Sequence, residues 1–276
     1  MPAAARRRPK LGQHFLTSEA YRRRIAEALP IGSQDLAIEI GPGRGAMTTL
    51  VARRARCLVA VELDRRLAEQ LRQDLAANAG VEIVEGDILK MDLAEICRVH
   101  GATRAFVFGN LPYYITSPIL HHLLGASAHL QGLAVVVQRE VADRIAARPG
   151  SRDYGYLSVA VQFHSRPRMV FSIPPGAFSP PPAVRSALVS FEIAPARPGW
   201  DDKSRQEFLD FVKLAFSQKR KKLANNLGVT YPLDQVQDTL SRFSVGENAR
   251  AEELEVCDLA RLFEAFRPLR QPVRRS

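Results

Sequence analysis

Short apolar runs alternating with stretches of helical periodicity constrain this chain more than anything else in it. Residues 36–40, 58–62, 81–85, 105–109 and 133–138 read as strands. Between and after them, 45–54, 65–76, 92–98, 117–124 and 139–147 read as helices. An earlier helix is expected from Thr17 or Ser18 to about Leu29. Strands that alternate with helices of this length imply an α/β fold, a mostly parallel sheet with helices on both faces. The run 157–163 is apolar enough for either state, and helix is the preferred reading. Two late strands, 168–171 and 187–191, flank a Pro-rich loop. Beyond the Pro/Gly segment 194–199 the pattern is helical only, with Phe208, Phe211, Val212, Leu214 and Ala215 on one face. The organisation expected is a basic N-terminal arm over 1–17, an α/β domain over 18–196 and a small all-α domain over 199–276.

The chain has 276 residues, 46% of them hydrophobic, enough for one large core and a smaller second one. No apolar run is long enough to span a membrane. The start of the chain lacks the apolar stretch of a secretory signal, which points to the cytoplasm. Three cysteines and six histidines show no paired or metal-ligand spacing, so neither a disulfide framework nor a metal site is expected. No long apolar surface helix stands out, which favours a monomer. The net charge of +10 is gathered in blocks: Arg6-Arg7-Arg8, Arg22-Arg23-Arg24, Lys219-Arg220-Lys221-Lys222 and Arg274-Arg275. Blocks of this kind neutralise phosphates densely, which nucleic acid rewards through counterion release. An anionic membrane rewards them too, but no amphipathic helix carries the aromatics needed to insert.

Glu39-Ile40-Gly41-Pro42-Gly43-Arg44-Gly45 follows the first strand of the alternation and opens a helix. Glycines there permit a sharp turn and close backbone approach to a ligand. Glu62, at the end of the next strand, stands where a carboxylate would grip ribose hydroxyls. These features alone do not separate a dinucleotide from a nucleoside ligand. Pro42 removes a donor from the loop that would cradle phosphates. Asp87, in Gly86-Asp87-Ile88, adds a second acid that can accept from an adenine amine, with Ile88 packing on the ring. A turn or helix-entry role for Asp87 is the alternative. A ligand between two acids is uncharged or cationic there, and S-adenosylmethionine, a nucleoside with a sulfonium and no phosphate, fits.

The run Ala105-Phe106-Val107-Phe108-Gly109 leads into Asn110-Leu111-Pro112-Tyr113. An amide, backbone carbonyls and a phenol at a strand's end suit a planar base carrying an amino group. The amide oxygen and the Leu111 or Pro112 carbonyl accept from the amine, and Tyr113 stacks on the ring. Phe178 is read either as a second stacking ring or as a core residue under its loop. Tyr114 is expected in the core.

Taken in order, these segments resemble the small-subunit ribosomal RNA adenine N6-dimethyltransferases over nearly the whole chain. Leu11-Gly12-Gln13-His14-Phe15-Leu16 is similar to the family's N-terminal motif, which usually carries Asn where this chain has His14. The motif around Glu39 to Gly45 follows. Then come Val61-Glu62-Leu63-Asp64, Gly86-Asp87-Ile88-Leu89, Asn110-Leu111-Pro112-Tyr113-Tyr114, Gln138-Arg139-Glu140-Val141-Ala142 and Phe178-Ser179-Pro180-Pro181-Pro182-Ala183-Val184. The resemblance implies a Rossmann-like class I methyltransferase domain with a small helical C-terminal domain. It implies S-adenosylmethionine as methyl donor, with contacts from His14, Leu16, Gly41, Glu62, Asp87 and Asn110. The implied substrate is two adjacent adenines in the 3′-terminal hairpin loop of 16S rRNA, within a pre-30S particle, each methylated twice on N6. Candidate RNA contacts are Arg144, Arg148, Lys219, Arg220, Lys221 and Lys222, against the plainer reading of a solvated charged helix face. Rival readings are a large-subunit adenine methylase of the macrolide-resistance type, a non-catalytic assembly or transcription factor on the same scaffold, and a nicotinamide-dependent oxidoreductase.

Overall fold

The computed structural model describes residues 14–269. The arginines at 6–8, 274 and 275 and the motif residues Leu11, Gly12 and Gln13 lie outside the described residues. By contact the chain divides into one unit of residues 1–142 and 169–191, and a second of 143–168 and 192–276.

The first unit begins with β1 (Phe15–Leu16) and α1 (Glu19–Ala28). Then follow β2 (Leu36–Ile40), α2 (Thr48–Ala52), β3 (Cys57–Glu62), α3 (Arg65–Asp74), β4 (Val81–Glu85), α4 (Leu93–Val99), β5 (Ala105–Asn110), α5 (Thr116–Gly125), β6 (Leu130–Gln138) and α6 (Arg139–Ile145). After α7 (Tyr156–Gln162) come β7 (Ser165–Ile173), β8 (Phe178–Ser179) and β9 (Ser186–Ile193). Seven strands form one sheet in the order β4-β3-β2-β5-β6-β9-β7, and β1 pairs antiparallel with β8. The pairs β4–β3, β3–β2, β2–β5 and β5–β6 are parallel. Every residue of β2 is buried, as a strand covered on both faces requires.

Register places the strand exits side by side. Ile40 pairs with Val61 and Gly109, and Glu62 pairs with Glu85. The loops after β2, β3, β4 and β5 therefore leave from one edge of the sheet, where ligands of open α/β sheets bind. Gly109 is required for this alignment. A Cβ there would lie 2.4 Å from the Ile40 carbonyl oxygen, closer than any real contact. Helix α2 is shorter than the 45–54 expected. Gly45 adopts φ +74°, a left-handed conformation that no helix interior contains, so helical geometry starts only at Thr48. Phe178 lies in the core of this unit with Ile25, Phe106, Phe108 and Leu188.

The second unit is helical: α7 with α8 (Asp202–Ala215), α9 (Leu223–Leu227), α10 (Leu233–Arg242) and α11 (Val256–Phe266). Aromatic rings make its core. Phe163 meets Phe208 at 4.5 Å between centroids, and Trp200 and Phe263 lie 5.7 and 5.8 Å from Phe208. The expected boundary at 196/199 thus needs correction, because 143–168 packs with the C-terminal helices. Gly150 N–H donates to the Glu252 carbonyl at 2.7 Å and the Tyr154 hydroxyl to the Leu254 carbonyl at 3.1 Å. The 194–199 stretch is no free linker either, since Ala194 and Ala196 N–H donate to the His164 and Phe163 carbonyls.

Phe208→Ala removes a ring that is fully buried at the centre of this cluster. Unfolding free energy from urea titration is expected to fall by about 3–5 kcal/mol.

Candidate functional site

One cavity of about 550 Å³ opens at the exit edge of the sheet in the first unit. His14, Leu16, Gly41, Glu62, Asp87, Ile88, Asn110, Leu111, Pro112 and Tyr113 all line it. Its size is that of a small-molecule site. Phe178 is absent from its lining, and at 3% exposure it has no free ring face to offer a base. Of the two readings of Phe178, the structure gives the core residue. Tyr114 departs the other way: expected in the core, it is 61% exposed at the cavity rim. It follows Tyr113 in a tight 3₁₀ turn (Tyr113–Ile115), and with the Tyr113 hydroxyl tied to Ser186 the next ring faces solvent.

Glu62 holds the cavity's wall together. One carboxylate oxygen accepts from Gly43 N–H at 3.0 Å and the other from Asp64 N–H at 2.9 Å. Burial pushes its carboxyl up, and the two N–H donors oppose that. Each oxygen keeps one lone pair for a ligand hydroxyl. The loop's own donors are largely consumed. Gly41 N–H donates to the Val61 carbonyl, Gly43 N–H to Glu62 and Gly45 N–H to the Pro42 carbonyl, while Pro42 has none. The three glycine N–H groups are thus not free to cradle a pyrophosphate.

Asp87 accepts from Leu89 N–H at 3.0 Å and caps the 3₁₀ turn Ile88–Lys90. The turn-entry reading of Asp87 therefore holds for one oxygen. The residue also lines the cavity, so the ligand reading stays open for the other.

Asn110 ends β5 with its amide oriented by the N-terminal segment: Nδ2 donates to the His14 carbonyl at 2.8 Å. Its Oδ1 is buried without a hydrogen-bond partner. Unpartnered buried acceptors are scarce in folded proteins, because each forfeits its hydration. Beside it the Tyr113 hydroxyl bonds Ser186 Oγ at 2.7 Å, which fixes the plane of the phenol. The His14 ring stacks on Tyr113 at 5.5 Å and 25°, while its Nδ1 hydrogen-bonds the Pro180 carbonyl oxygen at 2.8 Å. One Tyr113 face is thereby covered and its ring held.

The sequence reading did not single out Glu39 by itself. It is buried mid-strand, its Oε2 lacks a partner and it lines the same cavity. Burial pushes its carboxyl from 4.5 up to about 8, the Thr48 hydroxyl opposes this, and the Glu62 charge adds to it. The signal in the sequence was a carboxylate inside a strand otherwise apolar from Leu36 to Ile40. Two buried acids make the cavity unfavourable to an anion and suit a ligand rich in hydrogen-bond donors.

Among the proposed RNA contacts, Lys219 is already engaged. Its ammonium donates to the Tyr154 carbonyl at 3.1 Å and to the Arg152 carbonyl, so it ties down the 152–154 turn. Arg220, Lys221 and Lys222 are exposed between α8 and α9, and Arg144 and Arg148 are exposed near the end of α6. Among the described residues no group of side chains is arranged to hold a metal, and no helix is long and apolar enough to cross a membrane.

A pH prediction follows from Glu39. Its folded value lies above its unfolded value, so its stabilising effect is complete below about pH 4.5, declines as pH rises and is gone above about pH 8. Between about pH 5 and about pH 8 the wild type should lose up to about 1.4 kcal/mol per pH unit that Glu39→Gln retains. Urea unfolding of both proteins at the two pH values measures the difference.

Comparison with known proteins agrees with this geometry. The profile of the family described as Ribosomal RNA adenine dimethylase matches residues 4–267. The chain is 44% identical to Ribosomal RNA small subunit methyltransferase A of Acidobacterium capsulatum, over 95% of this chain and 92% of that one. It is 40% identical to the protein of the same name from Koribacter versatilis, over 95% of each. Among solved structures, a dimethyladenosine transferase from Plasmodium falciparum shares the fold at TM-score 0.78 and 21% identity, over 92% of this chain and 98% of that one. The 23S rRNA methyltransferase ErmE superposes at TM-score 0.69 and 28% identity, over 91% and 98%. With its β-strand exits, glycine loop and Asn110 to Tyr113 turn in place, the chain belongs to the ribosomal RNA adenine dimethylase family.

Proposed function

We propose that this protein dimethylates N6 of two adjacent adenines in the 3′-terminal hairpin loop of small-subunit (16S) rRNA, using S-adenosylmethionine, during assembly of the small subunit. The observation that carries the reading is Asn110: it lines the cavity with its Oδ1 buried and without a partner, and the fixed Tyr113 phenol lines the same cavity. The relatives at 40–44% identity carry the small-subunit name, which supports that substrate over others. The reading has the protein act as a monomer in the bacterial cytoplasm on a pre-30S particle.

The cavity fits the cofactor on its own terms. Spare lone pairs on Glu62 suit ribose hydroxyls, and the second Asp87 oxygen suits an adenine amine with Ile88 against the ring. Gly41 allows close backbone approach, and His14 and Leu16 wall the same cavity. The acids disfavour an anionic group beside them and the three glycine N–H groups are already bonded, which suits a nucleoside without phosphate. When bound, S-adenosylmethionine supplies an electrophilic methyl group on cationic sulfur.

The chain's residues prepare the acceptor nitrogen. An adenine N6 lone pair is delocalised into its ring and is a poor nucleophile. Accepting one N6–H at Asn110 Oδ1 and the other at a backbone carbonyl favours a pyramidal nitrogen whose lone pair is localised. The Pro112 carbonyl already accepts from Ile115 N–H at 3.1 Å and the Thr116 hydroxyl at 3.2 Å, so the Leu111 carbonyl is the better second acceptor. The base leaves its stack to reach this position, and stacking on the Tyr113 face that His14 leaves open offsets the loss. No general base is required, because N6 becomes acidic on alkylation and releases its proton to water. Positioning is the main contribution. Arg144, Arg148, Arg220, Lys221 and Lys222 are the proposed phosphate contacts, with Lys219 serving the turn they surround.

Labelled S-adenosylmethionine offered with purified unmodified subunits tests the substrate. Label should enter small-subunit RNA; label confined to large-subunit RNA overturns the reading in favour of the chemistry named for ErmE. Asn110→Ala should keep RNA affinity in a filter-binding assay and lose about 10²-fold or more in methyl transfer. Unchanged turnover would exclude Asn110 from the chemistry. In a thermal-shift assay S-adenosylmethionine should raise the melting temperature and NAD should not.

A further inference from the structure

At the opposite end of β3 from Glu62, three side chains of different elements meet in a line. Cys57 opens β3, Glu82 lies on β4 and His100 follows the last turn of α4. Cys57 Sγ is 3.6 Å from His100 Nδ1, and His100 Nε2 is 3.3 Å from Glu82 Oε2. The Arg56 guanidinium donates to the His100 carbonyl at 3.0 Å and holds that residue in place.

The order of the contacts fixes the chemistry. Glu82 lies close enough to Nε2 for its charge to favour the imidazolium that forms when Nδ1, facing the thiol, takes a proton. A nucleophile, a base and a carboxylate beside the base are the groups that activate thiols and hydroxyls on unrelated folds. The imidazole is largely covered and Glu82 is half exposed, with side-chain exposures of 16% and 54%. Cys57 itself is half-buried.

We propose that Cys57 is a modification site whose thiol is activated by His100 and Glu82 toward small peroxides. Sulfur attacks one peroxide oxygen, an S–O bond forms and the O–O bond breaks. The thiol proton passes to His100 Nδ1 as the sulfur attacks, and the departing hydroxide takes it back as water. Sulfur ends as a sulfenic acid, the peroxide is reduced, and the imidazole is regenerated. Proton transfer during the attack is required here, because burial foremost, then Glu82, hold the Cys57 thiol above the ordinary range, with Arg56 opposing. A standing thiolate is thus disfavoured, and the adjacent base supplies what burial withholds. The charges acting on the sulfur are Arg56 from its own strand entry and Glu82 from β4, with the His100 imidazole against it from the end of α4.

The chain contains its own reference thiols, Cys257 exposed and Cys97 buried. The intact protein is treated with hydrogen peroxide in the presence of dimedone, which traps sulfenic acid, and each cysteine is quantified by peptide mass spectrometry. Cys57 should react faster than the more exposed Cys257. His100→Gln should slow Cys57 by about ten-fold or more and leave Cys257 unchanged. Glu82→Gln, at an exposed position that does not threaten the fold, should slow it in the same selective way. If Cys57 reacts no faster than Cys257, or keeps its rate in Glu82→Gln and in a folded His100→Gln, the site is not activated and the proposal falls.

Discussion

A buried carboxylate bound on both sides by backbone holds the cavity's shape. Glu62 closes β3, reaches across to the N–H of Gly43 in the loop after β2, and takes the Asp64 N–H of its own turn. Stripping a carboxylate of water is costly unless hydrogen bonds replace the hydration. Two backbone donors do so here, and they also pin the turns after β2 and β3 to one another. The parallel register brings the strand exits to one edge, and this carboxylate holds two of the turns that leave it in a single conformation. The helix α3 entry depends on the same turn, since Asp64 caps it by accepting from Arg66 N–H.

Polar groups left incomplete are the other signature of the edge. Asn110 Oδ1 and Glu39 Oε2 are buried without partners, and both residues line the same cavity. A core built only for stability would replace such groups with methyls or pair them. Here the neighbours that would satisfy them are directed elsewhere: the Asn110 amide nitrogen to His14, the glycine-loop N–H groups to Val61, Glu62 and Pro42. Rigid positioning of acceptors before a substrate arrives is what lets a site contribute to rate through geometry.

Much of this was legible in the sequence where local pattern and tertiary environment agree. The strands at 36–40 and 81–85 coincide with β2 and β4, and β3, β5 and β6 differ from their readings only at their ends. Agreement fails where a residue's neighbours come from far along the chain. Nothing local in residues 143–168 shows which core they join; contacts such as Phe163–Phe208 and Tyr154–Leu254 do. Lys219 reads as part of a charged block, yet carbonyls at 152 and 154 capture its ammonium. Phe178 sits in a motif loop, but pairing of Leu16 with Phe178 turns its ring to the core. Helix α2 was overdrawn because an apolar periodicity does not display the left-handed glycine that delays it. The cavity residues themselves were readable because they lie at strand ends, where one residue type per position does recognisable chemistry.

The small β1–β8 ladder has a consequence for how the protein comes into being. Phe15 and Leu16 pair with Ser179 and Phe178, and His14 is held by the Pro180 carbonyl oxygen. Chains emerge from the ribosome N-terminus first. This part of the cavity wall is thus synthesised well before its partner strand, Phe178–Ser179. A half-made polypeptide, still tethered to the machine that translates it, holds the glycine turn and the acids yet lacks the tie that shuts the pocket over them. The β1–β8 pairing can form only once the later of its two strands has been made.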